Sequence, residues 1–277
     1  METLSSMLSA MEHARPKPGP GNYRGDDGLL RCKKCDAPIE CVVNVNGKDV
    51  TMPCACKCES IKRERREMEE RRLRGERETK RRREQCFVAG RSSLKTFEGD
   101  DGRFGHEQMD LCRRYSQRFE LGVPDYGLLL FGPPDSGKTF MSCCVANDLL
   151  DRGFSVVMRS MPQIIQQMQG ESYGSKAAFR DMLQNCDLLV LDDLGAERST
   201  SYGQEVVYAI VDGRYQSGKP MIVSTNLTRK ELAYPSDVMS QRIYGRLLEV
   251  CLPVEVDTGR RRSTRDGYDR MRADLGI

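Results

Sequence analysis

Tryptophan is missing from the 277-residue chain, and its absence excludes nothing. Other absences are more informative. No apolar run approaches the roughly 20 residues that a membrane-spanning helix needs. The first stretch, Met1 to Arg24, has no apolar core of the signal-peptide kind, so a cytoplasmic protein without a membrane partner is expected. A dominant charge is missing too: 44 Lys and Arg against 41 Asp and Glu leave only +3.

Where the charges sit says more than their sum. Basic residues crowd between Lys62 and Arg83 and again between Arg260 and Arg265. Twelve cysteines in a short secreted chain would read as disulfides. In a large chain that reads as cytosolic they read as reduced thiols and metal ligands. The length leaves room for one large domain and a smaller one.

The stretch from Leu128 to Thr139 organises the chain. An apolar strand signal enters Gly132-Pro133-Pro134-Asp135-Ser136-Gly137-Lys138-Thr139, and an amphipathic stretch opens at Phe140. This is a phosphate-binding loop in its strand–loop–helix context. Small residues let backbone N–H groups wrap a triphosphate, and the helix N-terminus favours anions. Lys138 would reach the β- and γ-phosphates of ATP, and the Thr139 hydroxyl would ligate Mg²⁺. About fifty residues on, Asp187-Leu-Leu-Val-Leu191 leads into Asp192-Asp193, carboxylates at the C-terminal end of a buried strand. That is where α/β sheets place their chemistry. Asp192 would hold Mg²⁺ and Asp193 would polarise the attacking water. A third strand signal, Lys219 to Asn226, ends in an Asn able to orient that water.

Outside this repeat the chain changes character. Met1 to residue 29, with Pro16, Pro18 and Pro20, reads as a flexible arm, with a short helix possible at Leu4 to His13. Residues 30–59 hold Cys32, Cys35, Cys41, Cys54, Cys56 and Cys58. Cys32-x-x-Cys35 is a metal knuckle. A hairpin, Glu40 to Val45 and Asp49 to Met52 around Asn46-Gly47, returns the chain to the second cluster. Four thiols, Cys32, Cys35, Cys56 and Cys58, are expected to bind Zn²⁺, with Cys41 and Cys54 to spare. So short a segment cannot build an apolar core, and a metal would supply its folding energy. Residues 60–86 read as a charged helical linker, with Arg81 to Arg83 its best phosphate contact. Residues 87–277 read as the ATPase domain.

Taken together, Gly132 to Thr139, Leu191 to Gly195, Ser224-Thr225-Asn226 and Gln241 to Leu247 resemble the DnaC/DnaI/IstB-like branch of the AAA+ ATPases, over about Asp125 to Arg262. The resemblance implies an α/β P-loop fold of the AAA+ (ASCE) kind, a parallel sheet ordered 5-1-4-3-2 and flanked by helices. It implies ATP hydrolysis and self-association through the ATPase domains. A trans-acting arginine would be Arg246 or Arg242, Arg246 first, and Arg262 or Arg261 would sense nucleotide in cis. With a small zinc-binding domain ahead of it, the chain is similar to bacterial and phage helicase loaders. The implied partners are then a replicative DNA helicase (a DnaB-type hexamer) and single-stranded DNA. The alternative is an IstB-like transposition helper assembling on DNA.

Overall fold

The computed structural model describes residues 18–45, 47–88, 91–102, 104–170, 173–195, 201–257 and 272. The expected helix at Leu4 to His13 and the arginines 260–262 lie outside them. The chain divides into two compact units, residues 1–77 and 78–277.

In the first unit, β1 (Asn22–Arg24) and β2 (Leu30–Cys32) pair antiparallel, inside and just beyond the stretch that reads as an arm. Two contacts explain this. The Tyr23 hydroxyl donates to Asp36, and the Arg24 guanidinium lies 3.6 Å from the buried carboxylate of Glu40. A second hairpin follows, β3 (Glu40–Val45) and β4 (Lys48–Pro53), in register from Glu40↔Pro53 to Val45↔Lys48. Gly47 takes φ 81°, the left-handed conformation that a tight hairpin turn needs and glycine supplies at little cost. Glu40 ties the two hairpins, because its Oε2 accepts from the Leu30 amide at 2.9 Å. Only Leu30, Val50 and Cys56 are buried apolar residues among those described here, so this unit has almost no oily interior.

Helix α1 (Lys57–Cys86) has 30 residues, about 45 Å at 1.5 Å per residue. Its composition of Glu, Lys and Arg favours helix intrinsically. Exposed pairs such as Arg63 with Glu67 (3.5 Å) and Arg72 with Glu69 and Glu76 (2.6 and 2.5 Å) follow the i,i+3 and i,i+4 spacing that supports a helix. Cys86, in its last turn, is its one buried residue.

The second unit continues through α2 (His106–Arg118), β5 (Gly127–Phe131), α3 (Lys138–Asp151), β6 (Val156–Ser160), α4 (Met161–Gly170) and α5 (Tyr173–Asn185). Then come β7 (Leu188–Leu194), α6 (Ser201–Ser217), β8 (Met221–Thr225), α7 (Arg229–Ala233), α8 (Val238–Val250) and β9 (Cys251–Glu255). The sheet order is β6-β7-β8-β5-β9, and every pairing is parallel. Counting strands within this unit from the far edge, that is the expected 5-1-4-3-2. Alternate residues of the strands feed two separate cores. Leu129, Phe131, Leu189, Leu191 and Val223 pack with α4, α5, α6 and α8. Leu128, Leu130, Leu188, Val190 and Ile222 pack with α2 and α3. A sheet covered on both faces needs strands apolar on both sides, and β5 is buried at every position.

Two buried arginines close helix ends. Arg159 on β6 donates to the carbonyls of Cys86 and Gln85, satisfying the last turn of α1. Arg214 on α6 does the same for Gln184 and Cys186 at the end of α5, and also donates to Pro220.

Candidate nucleotide site and candidate metal centre

The parallel order brings the C-terminal ends of β5, β7 and β8 side by side. After β5 the chain turns through the phosphate loop. Gly132 adopts φ 141° and Gly137 φ 102°, and Asp135 is a non-glycine at φ 60°. A Cβ on Gly132 would stand 2.5 Å from the Val256 carbonyl oxygen, so glycine is required there for space as well as conformation. Pro133 and Pro134 form the outer part of the loop, and Ser136 is buried. Lys138, also buried, gathers the loop around its ammonium, donating to Gly132 O (3.0 Å), Pro133 O (2.7 Å) and Ser136 Oγ (3.2 Å). Burial lowers its pKa, and Asp193, Asp192 and Asp135 oppose that shift.

Strand β7 carries an irregularity between Leu191 and Leu194, where Asp193 takes φ 58°. The two acids therefore leave the strand in different environments. Asp192 is buried, with Oδ1 accepting from Thr139 Oγ1 at 3.1 Å and from Ser224 Oγ. Burial raises its pKa, and the hydroxyls of Ser224 and Thr139 pull it back down. Asp193 is exposed, and its amide donates to the same Ser224 Oγ at 3.1 Å. One hydroxyl thus bridges the Asp192 carboxylate and the Asp193 backbone amide. Ser224 belongs to a motif legible in the sequence, but its role depends on the β7–β8 pairing. Thr225 fastens the end of β8, donating to Leu194 O (2.7 Å) and accepting from Leu227 N (3.1 Å), and leaves Asn226 exposed beside it.

Phe104 is a second residue that sequence reasoning passes over. Its ring stacks on Phe140 with centroids 4.7 Å apart. It also lies where a Cβ on Gly137 would be, 2.2 Å away, so it covers the start of α3. The arginines of α8 differ from one another. Arg242 is exposed. Arg246 pairs with Asp212 of α6, and its guanidinium lies 4.7 Å from the Tyr208 ring centroid and 5.5 Å from that of Tyr215. Arg262 falls outside the described residues. In the expected Arg81 to Arg83 cluster, Arg83 is bound by Asp151 at 2.6 Å and Arg82 lies 3.7 Å from Glu78.

In the first unit the ligand atoms of Cys32, Cys35, Cys56 and Cys58 all lie within 4.8 Å of one another. The closest pairs are Cys56 to Cys58 at 3.2 Å and Cys32 to Cys58 at 3.6 Å. A tetrahedron with Zn–S bonds of 2.3 Å has S···S edges of about 3.8 Å, so the four sulfurs fit one ion. Backbone amides of Ala37 and Cys58 lower the Cys35 thiol to about 6. The three sulfurs around Cys58 push its thiol up to about 12. Four thiols so placed resist joint ionisation unless a cation joins them. Cys54 instead donates to Pro38 O at 3.6 Å, and it stands with Cys41 outside the group of four.

This sheet order, with a lysine-gathered loop, a buried Asp paired to the loop threonine and an acid beside it, defines a nucleotide-binding P-loop protein of AAA+ type. The profile of the family described as IstB-like ATP binding protein matches residues 75–266, and the chain belongs to that family. It is 27% identical over 139 residues to the replicative helicase loader DnaC of Escherichia coli, covering 49% of this chain and 55% of that one. It is 27% identical over 147 residues to the replicative helicase loader DnaI of Bacillus subtilis, covering 49% and 47%. The chain therefore spans about half the length of the curated relatives it matches. A crystal structure of DnaI superposes with TM-score 0.53 at 24% identity, over 66% of this chain and 99% of that one. The DnaC helicase loader gives 0.50 at 20%, over 61% and 100%. At such identities the two structures speak for the fold alone. Among the described residues no helix is long and apolar enough to cross a membrane.

Proposed function

We propose that the chain is an ATPase that loads a ring-shaped replicative helicase, a DnaB-type hexamer, onto single-stranded DNA. The observation that carries the ATPase part is the shared hydrogen bonding of Thr139, Asp192, Ser224 and Asp193 beside Lys138. The loader part is supported by relatives that are named replicative helicase loaders.

In this reading Lys138 exchanges its loop carbonyls for the β- and γ-phosphates. Thr139 and Asp192 would hold Mg²⁺, which would supply positive charge to the phosphoryl oxygens. Asp193, exposed at the strand end, polarises the attacking water, and Asn226 orients it. Phe140 flanks the nucleotide. Arg242 and Arg246 serve the site of a neighbouring copy, for which Arg246 must leave Asp212. Arg262 reads the nucleotide in cis. The four cysteines hold one Zn²⁺ and thereby fold the first unit, which docks on the helicase. Domains follow the boundaries read above: an arm over 1–29, a zinc-binding segment over 30–59, a helical linker over 60–86 and the ATPase over 87–277.

Affinity capture from the native host tests this reading. Recovery of a hexameric helicase, with ATP turnover raised by single-stranded DNA, is the expected result. Recovery of a DDE-type transposase with no helicase would replace it with the second reading, a transposition helper. The family description, IstB-like, is what favours that alternative.

A further inference from the structure

Helix α1 is not uniform around its circumference. At about 100° per residue, Ile61, Met68 and Gly75 follow one line. Arg66, Arg74 and Arg77 occupy an arc of about 80° on the opposite side, spread over roughly 16 Å of axis. All three are exposed. Several other charges of the helix's first five turns are paired, and Arg65 and Arg71, which form no ion pair among the described residues, lie on other sides of the helix. Lys62 lies 3.9 Å from Glu59, Arg63 is held by Glu67, and Arg72 by Glu69 and Glu76. Arg66, Arg74 and Arg77 form no ion pair among the described residues. Glu70 shares their arc, which leaves a net +2.

What such a face fits follows from what it lacks. Protein docking surfaces gain most of their affinity from buried aromatic or aliphatic anchors. Leu73, exposed at the margin, is the one large apolar residue near this arc. Spaced guanidinium groups on a rigid rod instead match a regularly charged polyanion. At about 3.4 Å of axis per phosphate, 16 Å spans roughly five phosphates of one strand. Arginine suits phosphate oxygens because its planar fork can donate two hydrogen bonds at once.

We propose that the α1 face bearing Arg66, Arg74 and Arg77 binds the phosphodiester backbone of a nucleic-acid strand without reading its bases. This rests on the nucleic-acid partner of the reading above, but it needs neither ATP nor a helicase. The test uses the full chain and a fluorescent oligothymidylate without nucleotide, following anisotropy against salt. Substituting Arg66→Gln, Arg74→Gln and Arg77→Gln together should weaken binding about tenfold at moderate salt. It should also flatten the log–log salt dependence by about 2, since each strand phosphate neutralised contributes roughly 0.7. A control with equal charge loss on other sides of the helix, Arg65→Gln with Arg71→Gln and Arg72→Gln, should lose less than about twofold, as phosphate contacts are local. Circular dichroism checks that both triples keep the helix. Equal losses in the two triples, or an unchanged slope in the first, overturn the proposal. The second outcome would leave the face to an acidic protein surface. Failure to capture a helicase, with the salt slopes as expected, would count against the loader reading alone.

Discussion

The two units of this chain stand for opposite ways of holding a fold. Residues 78–277 bury two continuous apolar cores, one on each side of a parallel sheet. Among the described residues of 1–77, three apolar side chains are buried, and the remaining ties are polar: Glu40 to Leu30, Tyr23 to Asp36, and four sulfurs in mutual contact. Apolar burial contributes about 25 cal/mol per Å² wherever it occurs, so the larger unit holds itself together. The smaller buries little of it, and on the reading proposed above a cation bound by the four cysteines supplies its stability. Chemistry is divided the same way. The large unit holds the nucleotide site and the small unit the four cysteines, and each carries non-glycine residues at positive φ: Asp135 and Asp193 at 60° and 58° in the first, Asp36 at 54° beside Cys35 in the second.

That contrast breaks most sharply on metal removal. Purified protein should carry one zinc per chain. Chelation, or Cys32→Ser with Cys35→Ser, should unfold the first hairpins, since structural zinc sites are worth about 10 kcal/mol or more. The main thermal transition, that of the ATPase unit, should stay in place. A shift of both transitions together would show that the units do not stand independently. Next in size, Lys138→Ala should reduce ATP affinity and turnover at least about a hundredfold with no loss of zinc, as phosphate contacts supply most of the binding at such loops.

Asp192→Asn sharpens the comparison from within the large unit. Burial raises the Asp192 pKa, so the folded state holds its proton more tightly than the unfolded chain does. An acid of this kind costs stability above its unfolded pKa of about 4 and costs nothing well below it. The Asn variant should therefore melt higher than wild type at pH 7. The gap should close as pH falls below about 4, while ATP turnover drops about a hundredfold or more. Melting scans from pH 3 to 8 read it directly. The smallest effect is expected at Asp212→Ala. Freeing Arg246 should raise turnover by about two- to fivefold at fixed protein concentration, a population shift of under 1 kcal/mol. Arg246→Ala in the same background should remove the gain. An unchanged rate would mean that the Asp212 pair does not restrain Arg246.

What could be read from the sequence follows the same division. Strands β5 and β7 of the large unit were legible because burial on two faces writes apolar runs, as in Leu128 to Phe131 and Leu188 to Leu191, whereas the strand order was implied only by the family resemblance. The cysteine set was legible from spacing alone. Helix α7 was not seen, although Thr228 and Glu231 form its capping box. Five residues carry too little periodicity to announce a helix. The pairing of β1 with β2 was hidden because Asn22 to Arg24 owe their place to Asp36 and Glu40, side chains farther along the chain. Ser224 and Asp212 escaped for a similar reason. Each acts on a residue about thirty positions away, through sheet or helix packing that no local pattern encodes.

Arg159 adds a mechanical consequence. Its guanidinium anchors the last carbonyls of α1 onto β6, and the next residue, Ser160, stands in register with Asp192 on β7. That last turn is held by these polar links and also by Cys86, with Phe87 just after it, both buried in the apolar core that α2 and α3 share. The end of the linker is thus fastened one strand away from the buried acid of the nucleotide site.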